Sequence, residues 1–562
     1  MQPKLYPIIV GLSVFVASTI LFVMAIVGLS GCLLTPQVAA ISLFSGAVIG
    51  LFFGLKTEQD PTTVKVLDTI TLAIWAIITA RAFLWLVYWS GGQLKILSPY
   101  NLGDLSLHLH FIKYLASGLG FWPESPILMG TPLKYPLGMD LFNSLLLLAH
   151  VPIVNGLVIV GLIGALAMGY MIWRWSGAFG LAAFLFAGGL TGFQIFTQHE
   201  LIDWQGKAEW KNVYLTMVVT QRGLLYAIPA GILLLGQWRK RLEEGPVLMP
   251  WPAEIILYAS MPIFNVHTFL FLSLVLLLAF VFCKGTRMLW LGIGAISVPI
   301  ASTLLACVTG GLNTKGTIHM ALGWMQQGNP WVFWPINFGL MIPLLAITYF
   351  IGFKPSTSTP ATRTMLGASL ITIIACLIVS FAPWPWDNTK LMIWAWIAAL
   401  PFIWELVLSK VHLIFRIPIL IGLYFTGAIS IYAGLDYRHS YGLAGREEIA
   451  EASNMTSGLP RDARIICAPT FNHPLGLAGH KLIAGYDGHL FSHGLDYGKI
   501  YQAEESILKG ETGWKEKAFE LGARYLYWGP REQEKYKTSR RPWETEATCI
   551  YTGEISRLYR LW

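Results

Sequence analysis

Residues 6–28 read YPIIVGLSVFVASTILFVMAIVG, a run of 23 residues without a charged side chain. An α-helix rises about 1.5 Å per residue, so this run is long enough to cross the roughly 30 Å hydrocarbon core of a bilayer. It is too long for the apolar part of a signal peptide, and no cleavage site of small residues clearly follows it. We therefore expect it to remain in the protein as a first membrane span.

The rest of the chain has the same character, since 55% of its 562 residues are hydrophobic and only 12% are charged. Helices satisfy their own backbone hydrogen bonds where water is absent, so recurring apolar runs predict a polytopic α-helical membrane protein. We expect about thirteen transmembrane helices, and a short apolar helix at 139–151 that does not cross. The predicted spans are 6–28, 37–54, 67–90, 153–173, 177–197, 214–237, 252–264, 266–283, 289–307, 330–351, 365–382, 391–409 and 413–434.

The pair 252–264 and 266–283 allows two interpretations. Together they hold only about thirty residues, with Pro262 and Asn265 at the break. Two short spans and a single broken helix are both compatible with this part of the sequence.

The distribution of Lys and Arg predicts the orientation in the membrane. Basic residues, such as those at 239–241, concentrate in the loops on one side, whereas the longer loops on the other side hold fewer. The positive-inside rule then places the N-terminus in the cytoplasm. With an odd number of spans in the cytoplasmic (inner) membrane, the C-terminus and the loop at about 91–152 are expected outside.

From about Asp436 the chain changes character, with 17 basic and 17 acidic residues up to the end. The formal net charge of +8 therefore belongs to the membrane part, which argues against a nucleic-acid partner. We predict a transmembrane domain over 1–435 and a small extracytoplasmic α/β domain over 436–562. Its expected helices lie at 446–454 and 514–521, and its expected strands at 463–467, 524–528 and 555–562.

The cysteines give less information. Cys467 and Cys549 fall on strand-like segments of the tail, where a disulfide and two free thiols are both open. The spacing of Cys and His suggests no zinc site.

The first candidate for chemistry is Asp104, in the stretch NLGDLSLHLH of residues 101–110. A carboxylate beside the lipid surface, followed by His108 and His110, is suited to take a proton from an acceptor hydroxyl. The alternative is that Asp104 caps a helix over 105–116, and both roles are compatible.

Three further candidates are cationic or titratable groups inside or at the ends of predicted spans, where such groups are costly. Arg222, in the span 214–237, and Lys390 could hold a lipid phosphate, Arg as a fork and Lys as a point charge. Alternatively, Arg222 pairs with a buried carboxylate and Lys390 extends to the interface. His267 follows the break at Asn265 and could equally be a hydrogen-bonded helix end. Glu200 and Asp203, in an outer loop, are weaker candidates.

In their order along the chain, these pieces resemble the GT-C superfamily of integral membrane glycosyltransferases. That superfamily includes protein O-mannosyltransferases, oligosaccharyltransferase catalytic subunits and lipid A aminoarabinose transferases. The sequence resembles more narrowly a bacterial multi-spanning group with a Gly-Asp-x-x-x-His loop and a Tyr-Pro before the next helix. The matching residues are Gly103, Asp104, His108, Tyr135, Pro136, Gln221, Arg222, Gly223, Asn265, His267, Asn337, Gly339, Trp386, Asp387, Lys390, Gly485, Tyr486, His489, Ser492, His493 and Tyr527.

The resemblance implies a catalytic aspartate in an external loop and a polyprenyl-phosphate-linked sugar as donor. Asp104 would be the catalytic residue, and the donor phosphate would be bound by Arg222, Lys390 and His267. The candidate acceptor-side or loop residues are His108, His110, Tyr135, Glu200 and Asp203.

The chain also departs from the best-known members, because two extra spans precede the acidic loop and an Asp-x-Asp pair is absent from it. We therefore expect no metal and no cofactor. The predicted function is inverting transfer of a sugar to an unknown acceptor at the outer membrane face, with Tyr486, His489 and His493 of the tail facing the membrane part. A lipid or glycolipid transporter and a catalytically silent scaffold subunit are the alternatives.

Overall fold

The computed structural model describes residues 5–59, 62–311, 318–460 and 462–562, and these residues are mainly α-helical. The helices are α1 Leu5–Ser30, α2 Pro36–Lys56, α3 Val66–Leu84, α4 Leu102–Ala116, α5 Gly138–Leu148, α6 Ile153–Phe186, α7 Ile195–Gln198, α8 Leu224–Leu242, α9 Trp251–Phe264, α10 Val266–Phe282, α11 Arg287–Thr309, α12 Pro330–Phe338, α13 Met341–Gly352, α14 Pro360–Ile378, α15 Thr389–Phe402, α16 Leu413–Gly434, α17 Arg446–Thr456, α18 Pro474–Ala478, α19 Asp487–Ser492, α20 Gly498–Leu508, α21 Trp514–Glu520, α22 Pro530–Lys535 and α23 Trp543–Glu546. The strands are β1 Tyr88–Ser90, β2 Gln93–Ile96, β3 His319–Met320, β4 Val379–Ser380, β5 Tyr441–Gly445, β6 Ile465–Ile466, β7 Tyr525–Trp528, β8 Thr548–Thr552 and β9 Arg557–Arg560.

Eight helices within the described residues are long and apolar enough to cross a membrane. They are Leu5–Ser30, Pro36–Lys56, Val66–Leu84, Ile153–Phe186, Lys284–Thr309, Pro360–Ile378, Pro385–Lys410 and Leu413–Gly434. A ninth candidate is the pair α12–α13, which bends by 87°. The chain is an integral membrane protein, and the predicted number of about thirteen spans is not confirmed.

The difference arises because several predicted spans are short, bent or broken. The predicted spans 153–173 and 177–197 both fall in α6, whose two helical parts meet at a kink at Gly177 (φ 66°, ψ −169°), and the second part ends early, at Phe186. The predicted span 214–237 consists of a π-helical turn, Tyr214–Val218, and then α8, which starts only at Leu224. Apolar composition alone does not reveal such breaks.

Two local features explain the breaks near the middle of the chain. A Cβ atom on Gly223 would lie 2.0 Å from the carbonyl oxygen of Phe264, so only glycine allows this close approach of two backbones. Asn265 separates α9 from α10, and its side-chain oxygen accepts a hydrogen bond from the backbone N–H of Thr268 at 2.8 Å. The amide thus caps the N-terminus of α10.

The loop after α3 and the beginning of the tail form one small sheet. The predicted span 67–90 ends early, at Leu84, and the chain continues into the hairpin β1–β2. Strand β2 pairs antiparallel with β5, with Leu94 opposite Ala444. The loop between α3 and α4 and the beginning of the tail are therefore hydrogen-bonded to each other.

The tail contains a four-stranded sheet in the order β6-β7-β9-β8, in which β6 and β7 are parallel and the other pairs antiparallel. The predicted helices and strands of the tail are present as α17, α21, β6, β7 and β9. Trp514, Trp528 and Trp543 belong to its apolar core. Cys467 is buried, Cys549 is exposed and both are free thiols. The division of the chain into domains at residue 435 stays a prediction.

We predict that Gly223→Ala destabilises the protein, because the added methyl group must displace the backbone at Phe264. Overpacking of this kind costs about 1–3 kcal/mol, which should lower the apparent melting temperature of the purified protein in detergent. Gly236→Ala in α8 is the control, since no described atom outside its own turn of helix lies within 4 Å of the added Cβ. Equal melting temperatures for the two variants would contradict the close packing at Gly223.

Candidate functional site

Asp104 lies in the first turn of α4, which begins at Leu102. The residue at the N-cap position is Asn101, so the expectation that Asp104 itself caps the helix is wrong. Its carboxylate oxygen Oδ2 instead accepts a hydrogen bond from Nε2 of Gln221 at 3.3 Å. This hydrogen bond connects the segment immediately before α8 to the first turn of α4.

The surroundings of Asp104 change its proton affinity. Loss of hydration raises the pKa of its carboxyl group above the ordinary value, and the negative charge of Asp387 raises it further. His108 and Lys390 act in the opposite direction but do not outweigh the desolvation. Asp104 therefore interacts with three ionisable groups from α4 and from the segment at the start of α15.

His108 holds a second carboxylate against this cluster. Its Nδ1 lies 2.9 Å from Oδ2 of Asp140, a residue of α5, and both side chains are only 2% exposed. Removal of one partner of such a buried pair is destabilising, because the other partner is left buried without compensation. The His108–Asp140 pair fixes α4 against α5 directly behind Asp104.

Arg222 is connected to the same cluster. Its side chain is 1% exposed, and Nη2 donates a hydrogen bond to the carbonyl oxygen of Leu157 in α6 at 3.1 Å. It interacts electrostatically with Asp140, which supports the alternative of a buried carboxylate partner. Within the described residues, Nε and Nη1 have no hydrogen-bond partner. The guanidinium group keeps two unused donors in the interior.

Lys390 is the second residue of α15 and pairs with Asp387 one turn earlier, with Nζ 3.0 Å from Oδ1. Both side chains are mostly buried, so Lys390 is held by an ion pair instead of extending freely to the interface. His267, in the first turn of α10, interacts electrostatically with both members of this pair. Lys390, its partner Asp387 and His267 therefore lie together, and both Lys390 and Asp387 interact electrostatically with Asp104.

The tail reaches the site through α19 and the residue that follows it. The ring of His493 packs on Tyr135 with centroids 4.9 Å apart, and His489 interacts with the backbone of Gly103. Desolvation lowers the pKa of His489 to about 4 and that of His493 to about 3, so both are neutral at pH 7. His489 and His493 therefore contact the region between α3 and α5, and the expectation that Tyr486, His489 and His493 face the membrane part stays a prediction.

Other candidates lie elsewhere. His110 donates through Nε2 to the carbonyl oxygen of His480 at 2.6 Å, and burial lowers its pKa to about 3. His110 therefore packs against the tail. Glu200 is exposed, and Asp203 accepts hydrogen bonds from the hydroxyl of Tyr100 and from the backbone N–H of Gly206. In the described part of the chain, no group of three or more His, Cys, Asp or Glu residues is placed to hold a metal ion.

Sequence reasoning missed two acids of the site. Asp140 sits in a short apolar helix, and an acid inside such a helix is itself a signal, because it needs a buried partner. Asp387 belongs to the motif at residues 386–390, of which only Lys390 was predicted to be a site residue. Asp140 could not be identified from spacing as the partner of His108, since the two are 32 residues apart. Asp387, in contrast, lies only three residues before Lys390, and that spacing is a usable signal.

An apolar cavity of about 720 Å³ lies among α12, α13, α14 and α15. Its wall includes Met392 and Trp396, which follow Lys390 along α15, and Trp210. The indole N–H groups of Trp210 and Trp396 have no hydrogen-bond partner among the described residues. The cavity is thus apolar, with two unused donors in its wall.

No protein-family model matches the sequence. No curated protein matches it either. Among solved structures, the chain is similar to the Archaeoglobus fulgidus oligosaccharyltransferase tethered to an acceptor peptide, with a TM-score of 0.43, 11% identity and coverage of 88% of this chain and 74% of that one. The same enzyme with an inhibitory peptide and a dolichol-phosphate gives a TM-score of 0.41, 12% identity and coverage of 84% and 70%. Oligosaccharyltransferases are among the enzymes whose motifs the sequence resembles. At TM-scores below 0.5 the likeness is distant, and it assigns no activity or residue role to this chain.

Proposed function

We propose that the chain is a membrane glycosyltransferase that moves a sugar from a polyprenyl-phosphate donor to an acceptor hydroxyl. One observation carries the proposal: the desolvated carboxyl group of Asp104 shares a cluster with the cationic side chain of Lys390. A proton acceptor and a phosphate-binding cation at one place are what an inverting sugar transfer requires.

In the proposed reaction, Asp104 takes the proton of the acceptor hydroxyl. At the same time the oxygen of that hydroxyl attacks the anomeric carbon of the donor sugar. The bond from that carbon to the phosphate oxygen breaks, and the lipid phosphate leaves with the electron pair. Lys390 and His267 bind the phosphate. Arg222 contributes further positive charge, and its Nε and Nη1 have no hydrogen-bond partner among the described residues. Fixed charges at the place where charge develops stabilise the transition state. The proposal involves neither a metal nor a cofactor.

The remaining residues of the cluster position the base. Gln221 holds one carboxylate oxygen of Asp104, and the His108–Asp140 pair supports the helix that carries it. The raised pKa of Asp104 suits a base, because proton transfer is most efficient when the pKa of the base is near the working pH.

The apolar cavity beside α15 suits the lipid chain of the donor. Its wall includes Met392 and Trp396 of α15, the helix whose first turn carries Lys390, and in this proposal the isoprenoid chain passes from Lys390 into the cavity. In this proposal the site faces the outer surface of the cytoplasmic membrane, with the N-terminus in the cytoplasm and the tail outside.

We predict that Asp104→Asn reduces transfer by roughly 10²- to 10⁴-fold, because an amide cannot take the acceptor's proton. The variant should remain folded, since Asn has the same size and its side-chain oxygen can still accept from Gln221. The assay measures release of the lipid phosphate from a polyprenyl-phosphate sugar by the purified protein in detergent. Asp496→Asn, a change of an exposed carboxylate in the tail, is the control.

The outcomes separate the alternatives. Equal rates for Asp104→Asn and the wild type would remove Asp104 from catalysis. No turnover by the wild type across several donors would favour the silent scaffold, and movement of an intact lipid-linked sugar across a vesicle membrane would favour the transporter.

The pH dependence follows from the raised pKa of Asp104. The base must be ionised, so activity is present above this pKa and is lost as the pH falls through it. The pH at which kcat/KM falls on the acid side should therefore lie above the ordinary pKa of an Asp carboxyl group, which is about 3.9. Asp387→Asn should shift this fall to lower pH, because it removes a negative charge that raises the pKa of Asp104. A fall that does not shift would contradict the assignment of the titrating group.

A further inference from the structure

A second cavity, of about 370 Å³, opens at the N-terminal end of α4. Its wall combines two carboxylates, an amide and aromatic rings from three separate parts of the chain: the segment before α4, the loop before α8 and the beginning of the tail. The residues that matter are Tyr100, Asn101, Asp203, Asp436 and Tyr441. None of them takes part in the Asp104 cluster described above.

Asn101 shows that this cavity is built for a polar ligand. The residue is only 1% exposed, yet its side-chain oxygen has no hydrogen-bond partner among the described residues. Its Nδ2 makes one long contact, 3.5 Å to the carbonyl oxygen of Val219, and the side chain does not cap α4. A buried carbonyl group without a partner costs free energy, and because Asn101 belongs to the lining of the cavity, a ligand that donates a hydrogen bond to this oxygen would remove that cost.

The carboxylates of the cavity also offer acceptors. Asp203 receives the hydroxyl of Tyr100 and the N–H of Gly206, which leaves lone pairs on the carboxylate. Tyr100 adopts a left-handed backbone conformation (φ 59°), which is unusual for a bulky residue and is found where the surrounding structure fixes a functional side chain. The ligand must therefore present hydrogen-bond donors.

The charge of the cavity favours a neutral donor over a cation. Asp436 is already paired with Arg438, whose Nε lies 2.9 Å from Oδ2, and His439 is nearby at 3.9 Å. Tyr100 and Tyr441 add ring surfaces on which the apolar faces of a sugar can pack. Hydroxyl groups on a ring match the acceptors and the aromatic surface together, whereas an ammonium group would use the carboxylate of Asp203 alone.

We propose that this cavity is the acceptor subsite and that the acceptor is a sugar, bound through its hydroxyl groups by Asn101 and Asp203. The proposal rests on the proposed function, because Asn101 lies one helical turn before Asp104, the proposed base, at the start of α4. In this proposal the acceptor approaches from the junction of the loop before α4 and the tail, and the donor from the Lys390 side.

The test is binding of methyl α-mannopyranoside and methyl β-glucopyranoside to the full-length protein in detergent, followed by saturation-transfer NMR. We expect saturable binding of at least one glycoside. Asp203→Asn should weaken it about tenfold, because a hydrogen bond to a charged acceptor is the stronger one. Asn101→Ala should weaken it as well, because it removes the acceptor oxygen at the cavity. The control is Glu200→Gln, an exposed carboxylate of the same loop, with binding unchanged.

The readouts distinguish this proposal from the proposed function. Absence of saturable binding to the wild type, equal affinities for all variants, or binding of lysine amide in place of the glycosides would overturn the sugar subsite. Donor cleavage is measured on the same samples with water as the acceptor, and it should persist in Asp203→Asn. Glycoside binding without any donor cleavage would refute the transferase and leave the sugar site standing.

Discussion

The carboxyl group of Asp104 lies where water is scarce, and the chain must supply the hydrogen bonds and charges that hydration would otherwise provide. Gln221 donates one hydrogen bond, and His108 and Lys390 contribute the favourable electrostatic interactions. A charge in such surroundings is tolerated only when neighbours of opposite charge are fixed nearby. Much of the architecture around α4 serves to fix those neighbours.

The neighbours arrive on broken elements. The chain is interrupted immediately before α8 and again between α9 and α10, and a long uninterrupted helix would not present Gln221 and His267 in this way. Irregular backbone at membrane depth is tolerated only where it is enclosed by protein or lines a cavity. The tail supplies part of that enclosure, since His489 and His493 pack on the outer loop and β5 extends the hairpin of the loop into a sheet.

The sequence was sufficient for the class of the molecule, an integral membrane protein, and it supplied the residues of the candidate site. Apolar runs predicted a membrane protein, and the Gly-Asp-x-x-x-His stretch led to Asp104 and His108. It was insufficient where long-range contacts decide. The break at Gly223 depends on the carbonyl of Phe264, and the partner of His108 lies on another helix. Composition does not show a bend of 87° between two apolar helices, nor that Asp104 falls in the first turn of α4 instead of at its cap.

The measurement that tests the central claim most directly is an electron cryomicroscopy structure of the protein in lipid nanodiscs with a non-hydrolysable polyprenyl-phosphate sugar analogue. The account predicts the phosphate density at Lys390, the lipid chain in the apolar cavity beside α15, and the anomeric carbon facing the carboxylate of Asp104. Phosphate density away from Lys390, or a sugar that does not approach Asp104, would contradict it.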